Sequence, residues 1–184
     1  MDKKTTIALT AGISIGLGIS AAIIGSAVKK HKEAPKPDFF VDDGSNFIGF
    51  TEYGKKNIKN VLKIPHIVNG QHIYGIGPQA FVGLDITTLI ISNGIIMIQD
   101  YAFADCKNLK NVMLPKTLIQ IFAHAFDGCD SLEKLSIIGN IDTVETQSFA
   151  NCENLRKVKI KASAEVAPDA FMNDNKIKKV EFKK

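Results

Sequence analysis

The chain has 184 residues, 45% of them hydrophobic and 23% charged, with a net charge of +4. That length suits about one domain with appendages, and the charge excess is too dilute for a nucleic-acid-binding stripe. The odd count of three cysteines, none in a CxxC pair, argues against a disulfide framework of the small secreted type.

Residues 7–28 are 22 consecutive positions without a charge, preceded by Lys3 and Lys4 and followed by Lys29, Lys30 and Lys32. As a helix the run rises roughly 33 Å, the thickness of a bilayer core. It is long for a signal-peptide core and has no polar face, so residues 1–28 are expected to be a transmembrane or signal-anchor segment rather than a cleaved leader or a buried helix. Cleavage, at a small-residue site such as Gly25-Ser26-Ala27, makes the protein secreted instead. Gly12, Gly16 and Ser20 fall four apart, a spacing that lets helices pair in lipid, although the segment is rich in small residues throughout. Lysines on both sides leave the orientation open under the positive-inside bias; an extracytoplasmic, cell-surface location of the C-terminal part is the expectation.

Residues 29–46 read KKHKEAPKPDFFVDDGSN, a composition that favours an extended, solvated linker reaching at most about 60 Å. Phe39 and Phe40 interrupt it and are expected on the folded part or at the headgroup boundary. Residues 47–63 contain Tyr53-Gly54-Lys55-Lys56-Asn57, a turn signal between two short apolar runs. This predicts a hairpin that caps the N-terminal end of the C-terminal folded part.

From residue 64 to residue 184 the chain repeats. Phe81, Phe103, Phe126, Phe149 and Phe171 are spaced by 22, 23, 23 and 22 residues, each preceded by Ala or, once, Ser148. Five residues before each Phe stands Ile76, Ile98, Ile121, Val144 or Val166, and three before that Ile73, Ile95, Leu118 or Ile141, with Ser163 breaking the column. After each Phe comes an L-x-x-L-x-L pattern: Ile86-Leu89-Ile91, Leu109-Val112-Leu114, Leu132-Leu135-Ile137, Leu155-Val158-Ile160 and Ile177-Val180-Phe182. A period in the low twenties is the leucine-rich range. The last two apolar residues lie two apart, as one face of a strand requires. Each unit is therefore expected to be a strand, a second extended piece and a short helical turn carrying Ala-Phe. The class is strand-rich α/β, with about five coils whose first strands form one parallel sheet.

Units such as IQDYAFADCKNLKNVMLP and IFAHAFDGCDSLEKLSI resemble BspA-type leucine-rich repeats of bacterial and some protist surface proteins. The lead-in IPHIVNGQHIYGIGPQAF is similar to the usual opening of such arrays. The resemblance covers residues 47–182 and implies a right-handed solenoid, commonly at a cell surface, that works by adhesion or partner binding. It carries no fixed binding residue. Asp174 in the last repeat replaces the cysteine of the three repeats before it, and Ile138 and Ala162 stand where Pro65 and Pro115 end the strand elsewhere.

Cys106, Cys129 and Cys152 follow Phe103, Phe126 and Phe149 by three residues each. A metal site, an inter-coil disulfide and a ladder of small buried thiols are the three alternatives, and the last is the ordinary role of such a column. His31, His66, His72 and His124 have no local carboxylate or nucleophile arrangement, and no phosphate-binding loop or HExxH is present. No catalytic residue, cofactor, metal or small-molecule substrate is expected.

The outward positions of the first strands form the candidate partner-binding face. They grade from Thr87, Thr88 and Ile90 through Lys110, Asn111 and Met113 and Glu133, Lys134 and Ser136 to Arg156, Lys157 and Lys159 and to Lys178, Lys179 and Glu181. Lys110, Met113, Lys134, Arg156, Lys157, Lys159, Lys178 and Lys179 are the candidate contacts for a protein or acidic glycan partner. The bland alternative is that these lysines keep a stacked sheet soluble and blunt its edge. The expected function is a non-catalytic binding module displayed at a membrane. The alternative is a structural or assembly protein that pairs with partners through its repeats and its small-residue transmembrane helix.

Overall fold

The computed structural model describes residues 39–42, 44–50, 58 and 60–183. The expected transmembrane segment at residues 1–28, most of the linker and the turn at residues 53–57 lie outside them. Among the described residues no helix is long and apolar enough to cross a membrane.

The described residues begin with β1 (Phe39–Val41) and β2 (Asn46–Phe50) and continue through β3 (Val61–Ile64), β4 (Ile67–Val68), β5 (Gln71–His72) and β6 (Gly75–Ile76). From there long and short strands alternate: β7 (Thr88–Ile91), β8 (Met97–Ile98), β9 (Asn111–Met113), β10 (Gln120–Ile121), β11 (Lys134–Ile137), β12 (Thr143–Val144), β13 (Lys157–Lys161), β14 (Glu165–Val166) and β15 (Lys179–Lys183). Each short strand ends on the Ile or Val of the repeat. They stack in parallel in the order β6-β8-β10-β12-β14, extended at one edge by β2 and β1. The long strands carry the L-x-L pairs and stack on a second side. The result is a β-solenoid of about five coils.

The core between these sides is a set of like-on-like columns. Leu62 lies beside Leu89 and Leu89 beside Val112; Leu135, Val158 and Val180 continue the column. The repeat phenylalanines stack with ring centroids 5.4, 5.2, 5.0 and 5.7 Å apart from Phe81 to Phe171. Phe103, Phe126 and Phe149 are fully buried. One repeat cannot bury such a face alone; its neighbours supply the other wall.

Three features differ from the expectation. First, the Ala-Phe segment is not helical, and the described residues contain no helix, so the fold is an all-β solenoid. The residue two before Phe has positive φ in the first four coils: Gln79, Tyr101, His124 and Gln147. The residue two after Phe does so in all five: Gly83, Asp105, Gly128, Asn151 and Asn173. An α-helix needs consecutive residues near φ of about −63°. The segment instead turns its amides toward the next coil. Phe81 N donates to Ala102 O at 2.8 Å, Phe103 N to Ala125 O at 2.8 Å, Phe126 N to Ser148 O at 2.8 Å and Phe149 N to Ala170 O at 2.9 Å.

Second, the long strands form two ladders, β3-β7-β9 and β11-β13-β15, rather than one sheet. Strand β9 has only three residues and is followed by Leu114 and Pro115. A proline cannot donate to a ladder and ends a strand. Asn111 N donates to Thr87 O on the β7 side, so by alternation Val112 alone turns its amide and carbonyl toward β11. Strands β13 and β15, without that proline, run to five residues.

Third, a hairpin forms within the stretch expected to be linker, while the turn expected at 53–57 lies outside the described residues. Strand β1 pairs antiparallel with β2, while β2 and β3 belong to different sheets. Asp42 ties the end of β1 to the start of β2: its carboxylate accepts from Asn46 N at 2.7 Å and from Asn46 Nδ2 at 3.0 Å. Residues 39–46, expected within the linker, are thus partly in the fold. Strand β2 places Phe47 beside Ile76 and packs Phe50 edge-on against Phe81 at 5.0 Å, covering the first coil.

Candidate binding face

Among the outward positions of the long strands Thr88 and Ile90 are half-buried, while Asn111, Met113, Lys134, Ser136, Lys157 and Lys159 are exposed. On the N-terminal ladder Val61, Thr88 and Asn111 form one row, and Lys63, Ile90 and Met113 the next. Met113 is 59% exposed. Lys110, one residue before β9, is exposed beside this mildly apolar half. The ladder break between β9 and β11 separates it from the basic half.

On the C-terminal ladder Lys134, Lys157 and Lys179 share one row in register. Neighbouring strands are about 4.8 Å apart, and like charges directly opposite destabilise a sheet. Ser136, Lys159 and Glu181 form the next row, where Glu181 Oε2 lies 4.0 Å from Lys159 Nζ and 3.1 Å from Lys183 Nζ. Lys159 is therefore partly neutralised by its neighbour. Lys134, Arg156, Lys157 and Lys178 are exposed and make no ion pair with a described residue. The basic half thus holds most of the candidate residues together, while Lys110 and Met113 sit across the break.

Two contributors were missed by counting only the positions inside L-x-x-L-x-L. Lys161 lies in register with Lys183 at the end of the ladder. Lys176 stands immediately before the pattern of the last coil and donates to Asn154 Oδ1 at 2.9 Å. A column read through the residue before each first Leu or Ile would have found it.

The remaining chemistry-bearing residues have structural roles. Cys106, Cys129 and Cys152 are fully buried thiols. Each donates to a repeat Phe carbonyl of the preceding coil, respectively Phe81, Phe103 and Phe126, at 3.4 Å. Burial pushes the Cys106 thiol up to about 11 and the other two upward as well. Thiols held protonated are poor nucleophiles and poor metal ligands. His124 stacks on Tyr101 with centroids 4.6 Å apart and meets Asp127 Oδ2 at 2.9 Å through Nδ1. Asn151 Nδ2 donates to the other Asp127 oxygen at 2.7 Å. This is a lateral polar ladder between coils. Among the described residues no group of three His, Cys, Asp or Glu is placed to hold a metal ion.

The family model for the BspA type leucine rich repeat region matches residues 74–184, in six copies. A comparison with curated proteins gives no match. Among solved structures, a leucine-rich repeat protein of T. pallidum superposes with a TM-score of 0.68 at 22% identity, over 82% of this chain and 71% of its own. A leucine-rich cell surface protein of Faecalibacterium prausnitzii also gives 0.68, at 20% identity, over 82% of this chain and 39% of its own. The pneumococcal vaccine antigen PcpA gives 0.60 at 24% identity, over 76% of this chain and 34% of its own. At these identities the structures speak for the fold, and this chain spans only part of the larger ones. The matched family and the first two of these structures are described as leucine-rich proteins, a class that is generally non-catalytic. The match over most of the described residues, together with the solenoid and its columns, places the chain in the BspA-type leucine-rich repeat family.

Proposed function

We propose that the repeats are a non-catalytic binding module, held at a membrane by the N-terminal segment, that engages an acidic protein or glycan through the basic half of the long-strand face. The observation that carries this reading is the row Lys134, Lys157 and Lys179, three cations in register with no acid among them. A sheet that needed only solubility would alternate charge sign, since opposed like charges cost stability. The next row does alternate, through Glu181. A concave or flat repeat face is also the customary recognition surface of solenoids. The mildly apolar half around Met113 adds contact area for the same partner.

The test is a triple charge reversal, Arg156→Glu, Lys157→Glu and Lys159→Glu, with retention on immobilised heparin as the readout. Loss of most retention supports the face. Unchanged retention in a folded variant sinks it.

A further inference from the structure

Where coils four and five meet, beside the basic row, a notch of about 320 Å³ is lined by Arg156, Asn175, Lys176, Ile177 and Lys178. Arg156 and Lys178 occupy the same station one coil apart, linked by Lys178 N donating to Arg156 O at 3.1 Å. Lys176 is held from the other side. Asn154 donates through Nδ2 to Asp130 O at 2.8 Å, and its Oδ1 accepts from Lys176 Nζ at 2.9 Å. That bond leaves two ammonium donors of Lys176 for a ligand. No carboxylate lines the notch. The equivalent stations carry Lys107, Asn108 and Lys110 in coil two and Asp130, Ser131 and Glu133 in coil three, so the charge at these stations changes from coil to coil and is wholly basic where Arg156 meets Lys176 and Lys178.

We infer that this notch is an anchor site for a single sulfate-type oxyanion group of a sulfated glycan, with the remaining anionic groups of the chain running along Lys157 and Lys134. The anchor rests on the proposed binding face and specifies its ligand. An arginine fork presents two parallel donors to a tetrahedral oxyanion, and two flanking lysines supply point charges. The outward positions of coils three to five carry no aromatic residue, so there is no stacking platform of the kind single-stranded nucleic acid uses. The notch has room for a sulfate group with the sugar that carries it, so the anchor supplies specificity and the row supplies length dependence.

The experiment titrates the full chain with a sulfated hexasaccharide prepared from heparin, by calorimetry at constant salt. Arg156→Gln, Lys176→Gln and Lys178→Gln are compared with Lys134→Gln and Lys157→Gln, which remove the same single charge outside the notch. None of the five side chains is in the core, so circular dichroism suffices to confirm folding. The expected result is a loss of about tenfold for each notch variant, the scale of one charge-assisted hydrogen bond, and about twofold for each row variant. Inorganic sulfate should compete with the parent chain and lose that effect in Arg156→Gln. Equal losses across all five variants would overturn the anchor while leaving the charged face intact. No binding by the parent chain overturns both.

Discussion

The carboxylate of Asp174 accepts the backbone N–H of Cys152 at 2.7 Å, one coil away. Asp174 thus occupies the column that Cys106, Cys129 and Cys152 fill in the three preceding coils, and it is buried, with its Oδ2 making no hydrogen bond to a described residue. Burial raises its carboxyl from 3.8 to about 7, against the Cys152 amide, which favours the charged form, and with help from the Asp127 carboxylate. Between those two values the folded chain keeps a proton that the unfolded chain has released, so stability falls as pH rises through the window and stays lower above it. Asp174→Asn keeps an acceptor for Cys152 and removes the charge. Its melting temperature should exceed the parent's at pH 8 by on the order of 5 °C, with the gap closing by about pH 4. A gap independent of pH would place the effect elsewhere.

The stack of phenylalanines predicts where the fold is most sensitive. Phe126 and Phe149 lie 5.0 Å apart with rings 3° from parallel, and both are fully buried. Phe126→Ala leaves a cavity between two rings that the backbone ladder holds at fixed spacing, so little collapse can fill it. A loss of about 3–5 kcal/mol is expected in denaturant unfolding. Phe126→Leu, which retains most of the apolar volume, should cost clearly less.

Gly139 belongs to none of the repeat columns, yet a Cβ there would meet Lys116 O at 2.6 Å and Lys116 Cα at 2.7 Å. These are backbone atoms and cannot swing aside. The close approach lets Asn140 N donate to Lys116 O at 2.8 Å, joining coils two and three where the long-strand ladder is broken. Gly139→Ala should therefore destabilise by about 1–3 kcal/mol, the scale of an overpacked site, in the same denaturant measurement. Gly70, which has nothing within 4 Å of such a Cβ but a φ of +81°, is the comparison for strain without a clash.

Display at a surface makes its own prediction. Protease added to intact cells should remove the repeats from the N-terminal segment, while an internal cytoplasmic marker stays whole. Repeats protected until lysis would mean that Lys29, Lys30 and Lys32 set the topology, and the acidic partner would have to be sought inside.

The sequence by itself determined the period, the columns and hence the class of fold. Five copies of Phe, Ile or Val and L-x-x-L-x-L in register leave stacking as the arrangement that buries every copy. It also determined which side chains point outward, because strand alternation is set by the backbone. A column of Gly83, Asp105, Gly128, Asn151 and Asn173, residue types that tolerate positive φ, was present to warn against a helix at the Ala-Phe segment. Its partner column of Gln79, Tyr101, His124 and Gln147 gives no such signal, since these residues adopt positive φ only because each coil must direct its amides to the next. The tertiary structure alone decided the hydrogen bond from Cys152 N to Asp174 and the notch at Lys176. Each depends on what a neighbouring coil offers across about 5 Å of space, a distance that corresponds to more than twenty residues of chain and leaves no local pattern.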